Sequence, residues 1–300
     1  MTVLSVLVPF YRDDPTDTLR SVAELAGPGV EIVAWDDGTG DAELTARVEA
    51  LVGEFSALRL VTAARNAGRA AARNGLVRAA RGKWLLFLDA DMRPLRDDFL
   101  RRYLDAVACG ESDIMFGGFV VRDTGPRGTE LHRELSRRSD CRSAEWRRQH
   151  GPQHVASSNL LVRRDVLEAE GFDPGFEGWG WEDSEWAARV SKRFRLAHLD
   201  NPAVHLGLES NATVLERFAT SGANYARFTR AHPELAERLA LHRAASRLAA
   251  VPGQALARPV LRYAALAPLP MSVRVLALKL WRASHYADYL KAPELKEAPA

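Results

Sequence analysis

The sequence predicts an α/β fold with a mostly parallel central sheet flanked by helices, followed by a helical C-terminal extension. Short β-rich apolar runs alternate with longer helix-like stretches in the first half, as in βαβ units. Residues that start and stop helices lie between these runs, and polar residues directly follow several of them. With 300 residues, we expect an α/β domain over residues 1–235 and the extension over 236–300.

The individual elements follow from these patterns. Predicted strands lie near residues 3–9, 30–35, 58–62, 83–88 and 113–121. The first predicted helix begins after Asp13-Asp14-Pro15-Thr16 and stops at Gly27-Pro28, and further helices are predicted over about 66–81, 164–170 and 182–194. Residues 122–153 are polar, rich in arginine and without a clear period, which predicts loops and helices over one face. Further short strands are expected after the last of these helices, ending at His205.

The composition excludes several protein classes. Hydrophobic residues make up 47% of the chain, charged residues 27%, and the net charge is +2, as in an ordinary globular protein. Cys109 and Cys141 lie far apart, which predicts neither a disulfide framework nor a zinc ribbon and fits a reducing cytoplasm. The apolar N-terminus lacks a basic segment and a cleavage site, so it is interpreted as a strand. We therefore expect a cytoplasmic protein.

Polar residues follow three of the predicted strands. The first strand runs into Pro9-Phe10-Tyr11, the second into Asp36-Asp37-Gly38-Thr39, and the fourth into Asp89-Ala90-Asp91. Ligands of open α/β sheets bind outside the carboxyl ends of the strands. Each motif alone is also typical of a simple turn, but together they would line one edge of one sheet.

Asp89-Ala90-Asp91 follows an apolar run, WLLFL, that is typical of a strand buried on both faces. Two carboxylates there are costly unless a positive partner meets them. Mg²⁺ or Mn²⁺ prefers carboxylate and phosphate oxygens and can bind a diphosphate. The alternative is a helix N-cap with an acid in the first turn.

A glycine- and tryptophan-rich loop, GFDPGFEGWGWED, precedes a predicted helix that begins with two acids, Glu182 and Asp183. Glycines allow the backbone to approach a ligand closely, and tryptophans offer flat apolar faces to sugar rings. His205 follows a short strand 22 residues beyond Asp183. A lone histidine in an apolar context is usually a core residue, but beside candidate carboxylate ligands it is a plausible metal ligand.

The motifs LSVLVPFYRDD, AWDDGTG, RNAGRAAARN, GKWLLFLDADM and GWGWEDSEW, in this order, resemble family 2 glycosyltransferases of GT-A fold over about residues 3–207. The last motif and its following histidine resemble chondroitin-polymerase-type, polypeptide N-acetylgalactosaminyl- and β-1,4-galactosyltransferases. The resemblance implies a glycosyltransferase that uses Mn²⁺ or Mg²⁺ and moves a sugar from a nucleoside-diphosphate donor, with UDP favoured, to a hydroxyl of a saccharide or other acceptor. It also implies a role in polysaccharide biosynthesis and inversion at the anomeric carbon.

The same resemblance assigns roles to residues. Tyr11 would stack near the base, Asp36 would accept a hydrogen bond from it, and Arg73 would lie near the nucleotide. Asp183 would be the catalytic base, and Glu182 would touch the acceptor or donor sugar. The expected donor-binding residues are Pro9, Tyr11, Asp36, Asp37, Arg73, Asp89 and Ala90. The expected metal ligands are Asp89, Asp91 and His205, and the expected acceptor-binding residues are Trp179, Gly180 and Trp181. The sequence departs from the family at Asp36-Asp37-Gly38-Thr39-Gly40, where Ser-Thr-Asp often follows, and this affects the nucleotide contacts.

The C-terminal extension is strongly basic. Residues 238–287 contain eight Lys and Arg residues and no Asp or Glu. Within MSVRVLALKLWRAS, helical spacing places Val273, Leu276, Ala277, Leu280 and Trp281 on one side, and Arg274, Lys279 and Arg282 toward the other. Such a helix would suit the anionic inner face of a membrane, or would pack on the catalytic domain. Prolines at 252, 259, 268 and 270 exclude one continuous helix.

Three other functions remain as alternatives. A nucleotidyltransferase would need a glycine-rich phosphate loop after the first strand, where the sequence has PFYRDD. A non-catalytic nucleotide-sugar-binding protein on the same scaffold would be expected to lack the set Asp89, Asp91 and Asp183. Nucleic-acid binding through the tail is not expected, because the tail has no base-reading motif and few aromatic residues.

Overall fold

The structure, a computed structural model, describes residues 2–291. The chain forms two compact units. The first, the sheet unit, comprises the described residues up to Thr124, then Ser136–Glu177 and Glu182–Gly207. The second, the helical unit, comprises Gly125–Leu135, Gly178–Trp181 and the described residues from Leu208 onward. The domains expected at 1–235 and 236–300 remain a prediction, and residues 292–300 lie outside the described part.

The sheet unit contains a seven-stranded sheet in the order β3-β2-β1-β4-β8-β6-β9 and a three-stranded sheet in the order β5-β10-β7. Strands β1, β2, β3 and β4 are mutually parallel, whereas β8 is antiparallel to β4 and to β6. Strands β1 to β10 span Leu4–Phe10, Val30–Asp36, Leu58–Thr62, Trp84–Leu88, Met92–Pro94, Ile114–Phe116, Phe119–Val121, Asn159–Arg163, Leu196–His198 and Ala203–His205.

Helices connect the strands in the first unit and make up most of the second. Helices α1 to α14 span Thr16–Leu25, Ala42–Glu54, Arg69–Ala79, Phe99–Cys109, Glu130–Ser139, Ala144–His150, Arg164–Ala169, Glu182–Val190, Asn211–Thr220, Gly222–Ala231, Pro233–Ala236, Ala240–Ala249, Arg258–Leu266 and Met271–Lys291. Short 3₁₀ helices span Pro152–His154 and Gln254–Ala257. The predicted α/β class with a mostly parallel central sheet and a helical C-terminal region is confirmed.

The central strands are buried because helices cover both faces of the sheet. All five residues of β4 are buried. Alternate residues of β1 pack into two separate apolar clusters, Leu4 and Val6 into one and Leu7 into the other. A strand covered on both faces has no polar alternation, and this is why these runs could be recognised as central strands.

The prediction of one strand over 113–121 is wrong. The run forms two strands, β6 and β7, which belong to different sheets. The break falls at Gly117 and Gly118. Gly118 has φ +79°, and a Cβ on Gly117 would lie 2.2 Å from the hydroxyl oxygen of Tyr103. Only glycine fits this crowded turn, which separates the two strands.

In the helical unit, one side of α14 packs into an apolar core. Val275, Leu278 and Trp281 are buried there, and Val214, Leu215 and Phe218 of α9 belong to the same cluster. Trp281 also donates a hydrogen bond to the Leu215 carbonyl oxygen (2.9 Å). The predicted apolar side of α14 is therefore divided. Ala277 and Trp281 are buried, whereas Val273, Leu276 and Leu280 are exposed.

The C-terminal region is broken into several helices, as its prolines predict. Among residues 2–291, no helix combines the length and apolar composition needed to cross a membrane.

Candidate active site

The carboxyl ends of β1, β2 and β4 bring the first group of predicted residues to one edge of the sheet. Strand β1 lies between β2 and β4 and is parallel to both. Phe10 and Asp36 occupy paired positions at the ends of β1 and β2. Pro9 lies one residue earlier, opposite Trp35, and the partly buried Tyr11 follows β1 directly. The guanidinium of Arg12 lies 4.9 Å from the Tyr11 ring centroid.

Asp36 and Asp37 are both buried and serve the local backbone. Asp36 Oδ1 accepts a hydrogen bond from the Thr39 amide (2.8 Å). Asp37 Oδ2 accepts hydrogen bonds from the amides of Ala67 and Gly68 (3.1 and 3.0 Å), at the start of α3. Burial raises the pKa of Asp37 despite these bonds. Asp37 thus links the end of β2 to the N-terminus of α3 and stabilises the shape of the loop.

The turn Asp89-Ala90-Asp91 is fixed through its backbone. The Ala90 carbonyl oxygen accepts a hydrogen bond from the Thr18 hydroxyl (2.6 Å), and the Asp89 carbonyl oxygen accepts one from the Met92 amide (3.0 Å). The Asp91 carbonyl oxygen accepts one from the Leu206 amide (2.8 Å). These bonds use only backbone carbonyl oxygens, so the carboxylate groups of Asp89 and Asp91 interact with other side chains.

Two arginines of α3 bind Asp89. Arg73 Nη2 lies 3.0 Å from Asp89 Oδ1, and Arg69 Nη2 lies 3.6 Å from Asp89 Oδ2. Arg69 Nε also donates to Glu182 Oε1 (2.7 Å), while Arg73 Nη1 lies 3.9 Å from the same oxygen. Arg73 is only 1% exposed. The predicted position of Arg73 beside the nucleotide stays a prediction, and its contacts in the structure are with carboxylates.

The arginines determine the charge of these carboxylates. Burial alone would raise the pKa of Asp89, but Arg73, Arg69 and His205 outweigh it and lower that pKa. Burial likewise opposes ionisation of Glu182, and Arg69 and Arg73 lower its pKa below the ordinary value. Both carboxylates are therefore held in the charged form near neutral pH.

Asp91 and His205 form a second pair. His205 Nε2 lies 3.1 Å from Asp91 Oδ2, and His205 is the last residue of β10, which pairs with β5 just after Asp91. Burial lowers the pKa of His205, but the hydrogen bond and charge of Asp91 outweigh it, so the pKa is raised overall. A Cβ on Gly207 would fall 2.0 Å from Asp91 Oδ2. Glycine at 207 therefore keeps the space that the Asp91 carboxylate occupies.

The three expected metal ligands are only partly assembled. Among residues 2–291, no three His, Cys, Asp or Glu side chains are grouped closely enough to hold a metal ion. Asp91 and His205 are in contact, whereas Asp89 is engaged by Arg73 and Arg69. Carboxylate oxygens and an imidazole are nevertheless donors that Mn²⁺ accepts, and the phosphate oxygens of a donor would add further ligands.

Asp183 lies in the first turn of α8. Its Oδ2 accepts a hydrogen bond from the Ser157 amide (2.9 Å). Its Oδ1 is buried and has no hydrogen-bond partner within the described part of the chain. Burial raises the pKa of Asp183, Arg73 opposes this, and the neighbouring Glu182 charge adds to it. The positive end of the α8 dipole favours the ionised form of Asp183, but burial outweighs that effect and the pKa is raised.

Trp179, Gly180 and Trp181 belong to the helical unit. The Trp181 ring lies 4.9 Å from Phe228, and its Nε1 donates to the Tyr286 hydroxyl (3.1 Å). Its backbone has φ +75°, which is rare for a residue other than glycine. Both tryptophans pack against aromatic rings of this unit, Trp179 against Phe218. Their expected contact with an acceptor stays a prediction.

Sequence reasoning gave no role to Arg69 or Ser157. Arg69 precedes Arg73 by four residues in α3, a spacing that places both side chains on one helix face. That signal was available within the motif RNAGRAAARN. The amide of Ser157 offers no such signal, because any residue supplies a backbone donor.

The α/β fold, with acids at the carboxyl ends of its strands, places the chain in the class of glycosyltransferases of GT-A fold. Residues 5–171 match glycosyl transferase family 2, and the chain belongs to that family. The match ends at Gly171, the first residue of the glycine- and tryptophan-rich loop, so the resemblance of that loop to chondroitin-polymerase-type enzymes stays a prediction. A search of curated proteins finds no significant match.

Solved structures of similar fold include a mannosyltransferase and the protein TarS. Mannosyltransferase PcManGT from Pyrobaculum calidifontis, in complex with GDP-Man and Mn²⁺, is 18% identical with a TM-score of 0.66, and the alignment covers 96% of this chain and 87% of that one. S. aureus TarS 1–349 in complex with UDP is 17% identical with a TM-score of 0.55, and the alignment covers 96% and 90%. At these identities the likeness establishes the fold.

Proposed function

We propose that this glycosyltransferase moves a sugar from a nucleoside-diphosphate donor, with UDP favoured, to an acceptor hydroxyl by direct displacement with inversion. One observation carries the mechanism. Asp183 is fixed through one oxygen by the Ser157 amide, while its other oxygen is buried and has no hydrogen-bond partner within residues 2–291. A fixed carboxylate with an available oxygen and a raised pKa is suited to accept a proton.

In this reaction the acceptor oxygen forms a bond to the anomeric carbon as the bond from that carbon to the diphosphate oxygen breaks. The acceptor proton passes to Asp183 Oδ1, and the diphosphate leaves with the bonding electron pair. A placed base typically contributes ~10²–10⁴-fold to the rate. Because acceptor and leaving group are on opposite faces of the carbon, one displacement inverts the configuration and needs no covalent intermediate.

Glu182 is adjacent in sequence but has a different electrostatic role. It is buried and ion-paired to Arg69, and its pKa is lowered. A carboxylate held this strongly in the charged form by a guanidinium is a weak proton acceptor. We propose that Glu182 positions Arg69 and contacts the acceptor or donor sugar.

The residues present fit a divalent metal. Asp91 and His205 would hold Mn²⁺ or Mg²⁺, with Asp89 as the further carboxylate of the Asp89-Ala90-Asp91 motif. The bound ion would neutralise the negative charge of the diphosphate leaving group. The complex of PcManGT with GDP-Man and Mn²⁺ supports a metal-dependent reaction, although its nucleotide differs from the UDP that we favour.

Donor and acceptor contacts complete the proposal. Pro9, Tyr11 and Asp36 would border the nucleotide at the ends of β1 and β2. The Trp179-Gly180-Trp181 segment would contact the acceptor, a saccharide hydroxyl in polysaccharide biosynthesis. We also propose that the chain works at the anionic inner face of a membrane. Exposed apolar and basic residues of the helical unit support this part of the proposal, and it does not depend on the catalytic residues.

Binding and chemistry can be tested separately. Thermal unfolding of the purified chain with UDP or GDP, each with and without Mn²⁺, should give the largest stabilisation with UDP and Mn²⁺ together. Asp183→Asn should retain this stabilisation and lose at least ~10²-fold in transfer rate once an acceptor is found. Asp17→Asn, an exposed first-turn acid of α1, is the matched control and should transfer normally. Near-normal transfer by Asp183→Asn would refute the assignment of the base.

A further inference from the structure

The helical unit carries an unusual concentration of exposed apolar side chains. Among residues 2–291, nine of the exposed large hydrophobic residues lie between positions 251 and 280, and the others are Val3 and Leu95. Leu256 is 84% exposed and Tyr263 73% exposed. Single exposed apolar residues are normal on a protein surface, but a concentration in 30 consecutive residues marks an interaction site.

These residues follow the period of the helices that carry them. Leu256, Val260, Tyr263 and Leu266 recur every three or four residues through the second 3₁₀ helix and α13. Val273, Leu276 and Leu280 do the same on α14. Residues at this spacing share one side of a helix. We call these seven residues the apolar ridge.

The ridge residues do not belong to the sides of α13 and α14 that pack into the core. The opposite sides of the same helices are already buried, with Ala265 of α13 and Val275, Leu278 and Trp281 of α14 in the core of the helical unit. Helices α13 and α14 therefore carry apolar residues on two sides. One side stabilises the unit, and the other faces outward.

The charge around the ridge identifies its partner. Residues 238–287 contain no acidic residue. Arg262 and Lys279 are exposed and directly precede the ridge residues Tyr263 and Leu280, whereas Arg258 is neutralised by an ion pair with Asp288. Apolar side chains that enter the acyl boundary, bordered by cations at headgroup level, are the pattern of helices that lie in a membrane interface.

We propose that α13 and α14 dock on an anionic bilayer, with the apolar ridge inserted and Arg262 and Lys279 against the lipid phosphates. A symmetric dimer through the same surface would bring the cations of two copies together, and this is unfavourable. This inference rests on the membrane part of the proposed function and not on its catalytic part.

Vesicle co-sedimentation tests the proposal. The full chain should bind vesicles of phosphatidylcholine with 30% phosphatidylglycerol more tightly than pure phosphatidylcholine vesicles, and added salt should reduce the difference. Val260→Ser combined with Leu276→Ser should abolish binding to both. Arg262→Gln or Lys279→Gln should each weaken binding to the anionic vesicles about fivefold, the equivalent of ~1 kcal/mol per basic residue. Leu95→Ser, which removes an exposed leucine of the sheet unit, is the matched control and should bind normally.

Further measurements separate the alternatives. The changed ridge, cation and control positions are exposed, and an unchanged thermal transition verifies that each variant is folded. Asp183→Asn should bind vesicles as the wild type does, so failure of the catalytic proposal leaves this one standing. The proposal is overturned if the Val260→Ser, Leu276→Ser protein binds anionic vesicles normally. It is also overturned if light scattering shows a dimer that these substitutions dissociate and the wild type does not bind vesicles.

Discussion

Arg73 Nη2 lies 3.0 Å from Asp89 Oδ1, and the guanidinium that makes this contact is almost completely buried. The pair joins the middle of α3 to the turn after β4. It keeps a partly buried carboxylate charged at the place where a diphosphate is expected to bind.

Arg73→Met should therefore destabilise the fold strongly. Removing one partner of a buried ion pair typically costs ~3–5 kcal/mol, because the remaining charge is left uncompensated. Here Asp89 and Glu182 would both lose Arg73, although Arg69 still reaches each of them. Urea unfolding would measure the loss. Arg102→Met, which breaks the exposed pair with Asp98, is the control and should change stability far less. Equal losses in the two variants would contradict the role assigned to Arg73.

Gly207→Ala should weaken metal-dependent nucleotide binding without touching a ligand atom. The added Cβ would fall 2.0 Å from Asp91 Oδ2 and 2.9 Å from Asp91 Cβ, so the carboxylate would have to leave its position beside His205. Asp91→Ala should abolish Mn²⁺-dependent stabilisation by the nucleotide, and His205→Ala should weaken metal and donor binding together. Calorimetry with Mn²⁺ and UDP would measure all three. Gly53→Ala, where a Cβ meets nothing within 4 Å, should bind normally.

The rate of transfer should fall on the acid side of neutrality. Burial raises the pKa of Asp183 above that of an ordinary carboxyl group, and only the ionised form accepts a proton. The logarithm of kcat/KM should thus decrease with unit slope below this raised pKa and reach a plateau above it. The pH profile with a saturating metal concentration would measure this. A rate that stays constant down to the ordinary carboxyl range would contradict the assignment.

Stability should fall as the pH is lowered from about 6.5 toward 4. Burial lowers the pKa of His198 to about 4, with Arg147 contributing, and burial lowers the pKa of His154 to about 4 as well. The unfolded chain, with its ordinary histidine pKa, then binds more protons in this window, so acid favours unfolding. The stability these neutral histidines provide is fully present above about pH 6.5. His198→Gln should give a shallower loss between these values when unfolding is measured across the pH range.

Truncation after Pro233 should yield an insoluble or aggregating protein. It removes Leu278 and Trp281 from the core of the helical unit and exposes Leu215 and Phe218 of α9. Solubility and light scattering of the truncated chain would measure this. A soluble, cooperatively folding product would instead support a catalytic domain that ends near residue 235.

The central strands could be predicted from the sequence because each is marked by a short local pattern of residues. The run WLLFL predicts a doubly covered strand, and acids placed directly after such strands predict the edge where they meet. The contact of Arg69 with Glu182 joins residues 113 positions apart, so no local pattern contains it. Likewise, the hydrogen bonds of Asp37 to the amides of Ala67 and Gly68, directly before α3, depend on where the helix docks. The sequence did not reveal which side of α14 is buried and which is exposed, because both sides carry apolar residues.

The division of one apolar run between β6 and β7 also limits how this enzyme can be engineered. A chimera that exchanges residues 113–121 with a relative would replace strands of two sheets at once. Deleting one residue at Gly117-Gly118 would shift β7 by one position against β10 and turn each of its side chains to the opposite face. Recombination points are safer after Pro94 or before Asp113, where the exchanged segment keeps both strands and the glycines between them.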